Sequence, residues 1–125
     1  MSPVAQPEPA AAAGEARASD AALIVEIAGR PVRVNAEGFL IDPSEWTPAV
    51  ADVLAADLDL VLDDERRAVL RFVRADYAER GTTPTLRRLK TVGGFDTKRL
   101  FELFPKKPAK KIAYVAGVPK PVGCV

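Results

Sequence analysis

The sequence predicts a mainly α domain of the α+β class: a small five-helix bundle with an N-terminal β-hairpin and a flexible C-terminal arm. Apolar residues recur at helical spacing through most of the chain, which favours helices. Helix-capping residues and prolines mark where five such segments begin. Only one stretch near the amino end has the β-branched, alternating pattern of strands. At 125 residues, the chain is long enough to bury the core of one domain.

The predicted hairpin lies at residues 23–34. Residues 23–27 are β-branched and apolar, Gly29 follows at the turn, and residues 31–34 alternate before Asn35 ends the second strand. A two-stranded sheet is only marginally stable alone. We therefore expect Phe39, Leu40 and Trp46 to seal the hairpin against the helices.

Each predicted helix begins at a capping residue or a proline and stops before a glycine or proline. The starts are Thr47-Pro48, Asp63 or Asp64, Thr83-Pro84, Asp96 and Pro108; the ends are about Leu58, Gly81, about Val92, Pro105 and Gly117. The buried faces are assigned to Ala49, Val53, Leu54 and Leu58 in the first helix, Val69, Leu70, Val73 and Tyr77 in the second, Leu100, Phe101, Leu103 and Phe104 in the fourth, and Ile112, Val115 and Ala116 in the fifth.

Three regions follow from these patterns. Residues 1–20 are rich in Ala, Pro, Glu and Ser and are expected to form a disordered tail. Residues 21–116 form the helical domain with its hairpin, and residues 117–125 form the arm. Pro119 and Pro121 stiffen that arm, whereas Gly117 and Gly123 allow bends at its ends. We expect a cytoplasmic protein, since no membrane span or signal peptide is recognisable.

Charge is divided unevenly along the chain. Up to Glu65 there are 3 Lys/Arg against 13 Asp/Glu, and from Arg66 onward there are 15 against 4. The arginines of the second helix are interpreted as a solvated face paired with the acidic half, with docking of an acidic partner or an RNA backbone as the alternative. The basic residues considered for such contacts are Arg71, Arg74, Arg87, Arg88, Lys110 and Lys111.

Composition excludes several chemistries. The absence of histidine excludes Ser-His-Asp and Cys-His catalysis and histidine-based metal sites. Gly93-Gly94 lacks the spacing and the Lys-Ser/Thr of a phosphate-binding loop. We expect no metal and no small-molecule cofactor.

Cys124 is the only cysteine and the strongest candidate for chemistry. A thiolate is the reactive form, and neighbouring cations such as Lys120 and the lysines of residues 106–111 increase its share, whereas the terminal carboxylate opposes this. An exposed thiol of this kind can attack a persulfide and carry the outer sulfur as its own persulfide. We assign docking to the arm residues around it: Gly117, Pro119, Lys120, Pro121 and Gly123.

The motifs of the second half resemble those of the DsrC/TusE sulfur-relay family. They are Leu103-Phe104-Pro105, Pro108-Ala109-Lys110, Ala116-Gly117-Val118-Pro119-Lys120-Pro121 and the closing Gly123-Cys124-Val125, with Gly38-Phe39-Leu40, Trp46, Arg71-Phe72-Val73-Arg74 and Thr83-Pro84 upstream. The resemblance implies a helical bundle with an N-terminal hairpin and a mobile arm whose penultimate cysteine exchanges sulfur with donor and acceptor proteins. It leaves open whether sulfurtransferase-like transfer makes the chain an enzyme or a carrier.

One departure from the family pattern separates its branches. Members that work with dissimilatory sulfite reductase carry a second cysteine eleven positions earlier, where this chain has Ala113. The resemblance therefore favours a one-cysteine, TusE-like carrier serving a tRNA-thiolation complex or a sulfur-oxidation system. A partner or regulator of sulfite reductase, or of another sulfur-oxidation system, remains an alternative.

A second alternative belongs to a different functional class. The second helix, the Gly81 turn and the basic third helix resemble a helix-turn-helix nucleic-acid-binding module. Its contacts would be Arg87, Arg88, Lys90, Lys98 and Arg99.

Overall fold

The computed structural model describes residues 23–121 and has the predicted order of elements. Strands β1 (Leu23–Ile27) and β2 (Arg30–Val34) form an antiparallel hairpin, and a 3-10 turn follows at Pro43–Glu45. The helices are α1 (Pro48–Asp57), α2 (Asp64–Arg80), α3 (Leu86–Thr91), α4 (Thr97–Leu103) and α5 (Pro108–Ala116). The prediction of five helices with an N-terminal hairpin is confirmed.

The hairpin closes through a two-residue turn and packs on α1. Ala28 and Gly29 both have positive φ, 54° and 78°, the twist that matches the strands of a tight hairpin. Inward-facing side chains of the strands meet Leu40 and the apolar side of α1, which buries Ile27, Val32, Val34, Leu40, Val50 and Leu54. Leu40 and Trp46 pack against the hairpin as expected, whereas Phe39 belongs to the larger core.

Helix α5 lies at the centre of the larger core and packs against α1, α2 and α4. Its Ile112, Ala113 and Val115 are almost completely buried. Phe39 and Phe104 are among the largest side chains that are fully buried in the same cluster. Because α5 ends at the arm, this packing fixes the place from which the arm departs.

The local start signals were interpreted correctly except at α3. Thr47, Asp63 and Asp96 accept hydrogen bonds from backbone N–H groups in the first turns of α1, α2 and α4. Helix α3 is capped by Thr85, not by Thr83 as the Thr83-Pro84 pair suggested. The hydroxyl of Thr83 is instead used in a contact with the arm, described below.

Three side chains assigned to buried faces are exposed: Ala49, Val53 and Phe101. Val53 is 39% and Phe101 48% exposed. Each stands one residue, about 100° around the helix, from a buried neighbour, which is Val50, Leu54 or Leu100. The short helices α1 and α4 bury a narrower stripe than the sequence suggested.

The arginines of α2 are more engaged than a purely solvated face. Arg67 pairs with Asp52 at 2.7 Å across to α1, as expected for an acidic half folded on a basic half. Arg66, however, donates from Nε to the carbonyl of Leu103 at 2.9 Å, and Arg74 also bonds backbone carbonyls. A guanidinium has five N–H donors in a rigid fork, which suits it to joining distant loops in this way.

No helix within residues 23–121 has both the length and the apolar composition needed to cross a membrane.

Candidate functional site: the root of the carboxyl-terminal arm

Residues 117–121, here called the arm root, are packed on the domain. Gly117 has φ 73° and ends α5. The N–H of Val118 donates a hydrogen bond to the carbonyl of Ala113, and the N–H of Gly117 donates one to the carbonyl of Tyr114. This is the pattern of a helix that ends at a left-handed residue. Val118 is 1% exposed, and Pro121 is buried. Gly117 is therefore a fixed cap rather than the free bend expected from the sequence.

Trp46 makes glycine necessary at position 117. A Cβ on Gly117 would lie 2.5 Å from Cδ1 of the indole, closer than real Cβ contacts. The indole Nε1–H donates to the carbonyl of Val115 at 2.8 Å. Trp46 thus binds the last turn of α5 and covers the backbone where the arm begins.

Arg74 packs against the indole of Trp46. Its guanidinium carbon is 4.1 Å from the ring centroid, a cation–π geometry. The same group donates to the carbonyls of Ala116 at 2.8 Å and Pro43 at 3.2 Å. Burial lowers the pKa of Arg74 from its ordinary value, although an arginine stays protonated in a protein. Its positive charge is used at the end of α5, where helix carbonyls favour a cation.

Two polar contacts hold the rest of the arm root. Thr83 donates its hydroxyl to the carbonyl of Pro119 at 2.7 Å, and Thr83 itself is nearly buried. The ammonium group of Lys120 lies 3.1 Å from a carboxylate oxygen of Glu37, and that of Lys110 lies 3.9 Å from the same oxygen. The arm root therefore contacts the α2–α3 loop on one side and the turn after the hairpin on the other.

Asp76 positions that α2–α3 loop. Its buried carboxylate accepts bonds from Arg88 Nε at 2.9 Å and Nη2 at 2.8 Å, and from Arg80 at 3.2 Å. These bonds, led by those from Arg88, lower the pKa of Asp76 from its usual value despite its burial. The two ends of the loop that carries Thr83 are thus tied together.

A basic pocket lies at the other end of α5. It has a volume of about 570 Å³. Phe39, Leu58 and Tyr114 form its apolar part. The polar residues that line it are Glu37, Asp57, Lys106, Lys107, Lys110 and Lys111. We call this the lysine pocket.

Comparison with protein families places the chain. The family model described as "DsrC like protein" matches residues 26–125. The chain belongs to the DsrC-like family. Its single cysteine is consistent with the one-cysteine members of that family, as the sequence motifs suggested.

Similar proteins agree with that assignment. The chain is 37% identical over 109 residues to the sulfurtransferase TusE of Pectobacterium atrosepticum, covering 82% of this chain and 100% of that protein. Among solved structures, Allochromatium vinosum DsrC matches with a TM-score of 0.72 and 36% identity, over 84% of this chain and 100% of the other. A structure of dissimilatory sulfite reductase I (DsrI) contains a chain that matches with a TM-score of 0.74 and 32% identity, over 82% of this chain and 100% of the other.

The structure describes some of the predicted site residues of this DsrC-like protein and not others. Cys124 and Gly123 lie outside the described residues, so their roles stay predictions. Gly117, Pro119, Lys120 and Pro121 form the arm root, and Lys110 and Lys111 line the lysine pocket. Of the other basic candidates, Arg71 and Arg87 are exposed, whereas Arg74 and Arg88 are bonded within the domain.

Neither α3 nor the relatives above support the nucleic-acid hypothesis. Helix α3 has six residues, and the guanidinium of Arg88 is held by Asp76. Arg99 is paired with Glu65 at 2.6 Å and with Glu102 at 3.0 Å. Arg88 and Arg99 are therefore engaged in contacts within the domain, whereas Arg87, Lys90 and Lys98 are exposed.

Three residues of the site were not recognised from the sequence. The sequence assigns Trp46 to the seal between hairpin and helices and Thr83 to a helix cap, and it gives Glu37 no role. Trp46 and Thr83 do belong to segments that resemble the family motifs, which is the one signal that pointed to them. Glu37 had no such signal, because its partners lie 73 and 83 residues away.

Proposed function

We propose that this chain is a sulfur carrier that accepts sulfane sulfur on Cys124 and passes it to a partner protein. The observation that carries the proposal is a single thiol at the penultimate position of an arm whose root is fixed on the domain. Cys124 is three positions after Pro121, and a chain spans at most about 3.6 Å per residue, so the covalent chain limits the distance between their Cα atoms to about 11 Å. Sulfurtransferase TusE relatives support the same reading.

The chemistry is a balanced exchange of sulfur. The Cys124 thiolate attacks the outer sulfur of a donor persulfide, a new S–S bond forms on Cys124, and the old S–S bond breaks. The donor leaves as a thiolate, and Cys124 becomes a persulfide. Transfer to the acceptor repeats the exchange in the other direction. No external oxidant or cofactor is needed.

Ala113 restricts what happens next. It stands where two-cysteine members have their second thiol, and in this protein it is fully buried in α5. With one cysteine in the chain, no intramolecular disulfide can release the sulfur. We infer that another molecule accepts it, which favours a TusE-like role in the cytoplasm with tRNA-thiolation or sulfur-oxidation partners.

Mass spectrometry of the intact protein tests this function. After incubation with a small-molecule persulfide donor, the wild-type chain should gain about 32 Da, the mass of one sulfur, and dithiothreitol should remove it. Cys124→Ser should gain nothing, because it removes the only thiol. No gain in the wild type, or an equal gain in the variant, would contradict the assignment.

A role as a partner or regulator of sulfite reductase is the second candidate. It is favoured by the likeness to a chain in the DsrI structure and by Gly123, which resembles the sulfite-reductase branch. The two roles separate by comparing Cys124→Ser with a chain that ends at Pro121. A regulator should keep its effect on a sulfite reductase in Cys124→Ser and lose that effect in the truncated chain. A carrier should lose sulfur transfer in both variants.

A further inference from the structure

The lysine pocket combines an apolar surface with an excess of positive charge. Phe39 and Tyr114 pack edge to face there, with ring centroids 5.6 Å apart, and Leu58 lies beside them. Four lysines line the pocket against two carboxylates. Exposed cations around an apolar hollow are typical of a surface that receives an acidic segment with a hydrophobic anchor.

The charges in this pocket are incompletely balanced from within. Asp57 accepts a bond from the Tyr114 hydroxyl at 3.3 Å, and Glu37 pairs with Lys110 at 3.9 Å. Within residues 23–121, neither Lys106 nor Lys107 takes part in a salt bridge. Lys107 is the N-cap residue of α5 and makes no side-chain capping bond to the first N–H groups, so the positive end of the helix dipole adds to the same field.

Glu37 indicates which ligand chemistry fits. Its carboxylate lies 3.1 Å from the ammonium of Lys120 in the arm root and 3.9 Å from that of Lys110 at the pocket. A carboxylate is therefore already bound by lysines at this edge. A carboxylate from another protein would meet the same kind of partner and would compete with Glu37 for them.

We propose that the lysine pocket docks an acidic segment with an apolar side chain, supplied by the protein that exchanges sulfur with this chain. The apolar side chain contacts Phe39, Leu58 and Tyr114, and the carboxylates pair with the lysines. Competition for Lys120 then weakens its bond to Glu37, which is one of the contacts that hold the arm root. This identification of the partner's chemistry rests on the proposed sulfur-carrier function.

A labelled peptide tests the docking surface directly. The probe is fluorescein-labelled Asp-Glu-Leu-Trp-Glu-Asp, and its neutral analogue is Asn-Gln-Leu-Trp-Gln-Asn. We expect the full chain to bind the acidic peptide by fluorescence anisotropy at low salt and to bind the neutral one at least about tenfold more weakly. Amide resonances of residues 106–114 should shift on titration.

Matched variants distinguish binding at the lysine pocket from nonspecific attraction to the positive charge of the protein. Lys106→Glu with Lys107→Glu should weaken acidic-peptide binding at least about tenfold. Lys90→Glu with Lys98→Glu changes the net charge equally on the exposed surface of α3 and α4 and should leave binding nearly unchanged. Equal losses in both double variants, no peptide binding, or tighter binding of a uridylate hexamer to the same lysines would each overturn the proposal.

Failure of this proposal differs from failure of the carrier function. Cys124→Ser should bind the acidic peptide as the wild type does while losing the sulfur gain. Peptide binding without sulfur loading would remove the carrier assignment and retain the surface for acidic segments. Sulfur loading without peptide binding would remove the docking surface alone.

Discussion

Replacing Gly117 with alanine should lower the free energy of unfolding by about 2–5 kcal/mol and displace the arm root. The left-handed backbone at φ 73° costs a residue with a Cβ about 1–2 kcal/mol. The new Cβ would also lie 2.5 Å from the Trp46 indole, and such overpacking adds about 1–3 kcal/mol. Denaturant unfolding gives the loss. Trp46 is the only tryptophan, so its fluorescence reports the displacement in the folded state.

Gly81→Ala is the matched control. Gly81 ends α2 with nearly the same φ, 75°, but nothing lies within 4 Å of a Cβ placed there. Gly81→Ala should lower the free energy of unfolding by about 1–2 kcal/mol, the cost of the left-handed backbone alone, and should leave Trp46 fluorescence unchanged. Equal losses in the two variants would mean that Trp46 can move aside and that the arm root is not held as described.

Asp76→Asn should destabilise the protein by about 2–4 kcal/mol near neutral pH. The substitution removes the buried carboxylate charge that pairs with Arg88 and Arg80. Both partly exposed guanidinium groups then lose their ion pair with residue 76. The link between α2 and α3 weakens, and with it the loop that carries Thr83. Asp52→Asn, which breaks an exposed pair with Arg67, should cost less than about 1 kcal/mol.

The pH dependence of stability identifies the charge as the cause. Because the pKa of Asp76 is lower in the folded chain than the unfolded value of about 3.9, its contribution is present above about pH 4. It is lost as the pH falls through the depressed folded pKa. The stability difference between wild type and Asp76→Asn should therefore shrink below pH 4. A difference that stays constant across this range would assign the effect to packing.

Local chemistry explains what the sequence predicted well. The hairpin follows from Gly29 and the β-branched strands, and most helix bounds follow from side-chain caps and left-handed glycines. These signals act within a few residues. The same reasoning failed at Thr83, because Thr83 and Thr85 are equally good caps locally and a contact 36 residues away decides between them.

Long-range contacts explain what the sequence did not predict. The prolines at 119 and 121 indicated an extended arm, yet the burial of Val118 depends on the core around α5. Nothing in the sequence distinguishes Arg74 from the other arginines of α2, because its contact with Trp46 joins segments that are far apart in the chain. The lysine pocket needs α1, the turn at Glu37 and the start of α5 together. None of these long-range contacts produces a periodic pattern in the sequence.

Cold cyanolysis of the sulfur-loaded protein tests the central claim most directly. After loading with a persulfide donor and removal of excess donor, cyanide takes the outer sulfur of the persulfide as thiocyanate and leaves the Cys124 thiolate. One cysteine per chain predicts about one thiocyanate per chain from the wild type and none from Cys124→Ser. Equal thiocyanate from both proteins, or none from a wild-type chain treated with a competent donor, would contradict a sulfur carrier built on Cys124.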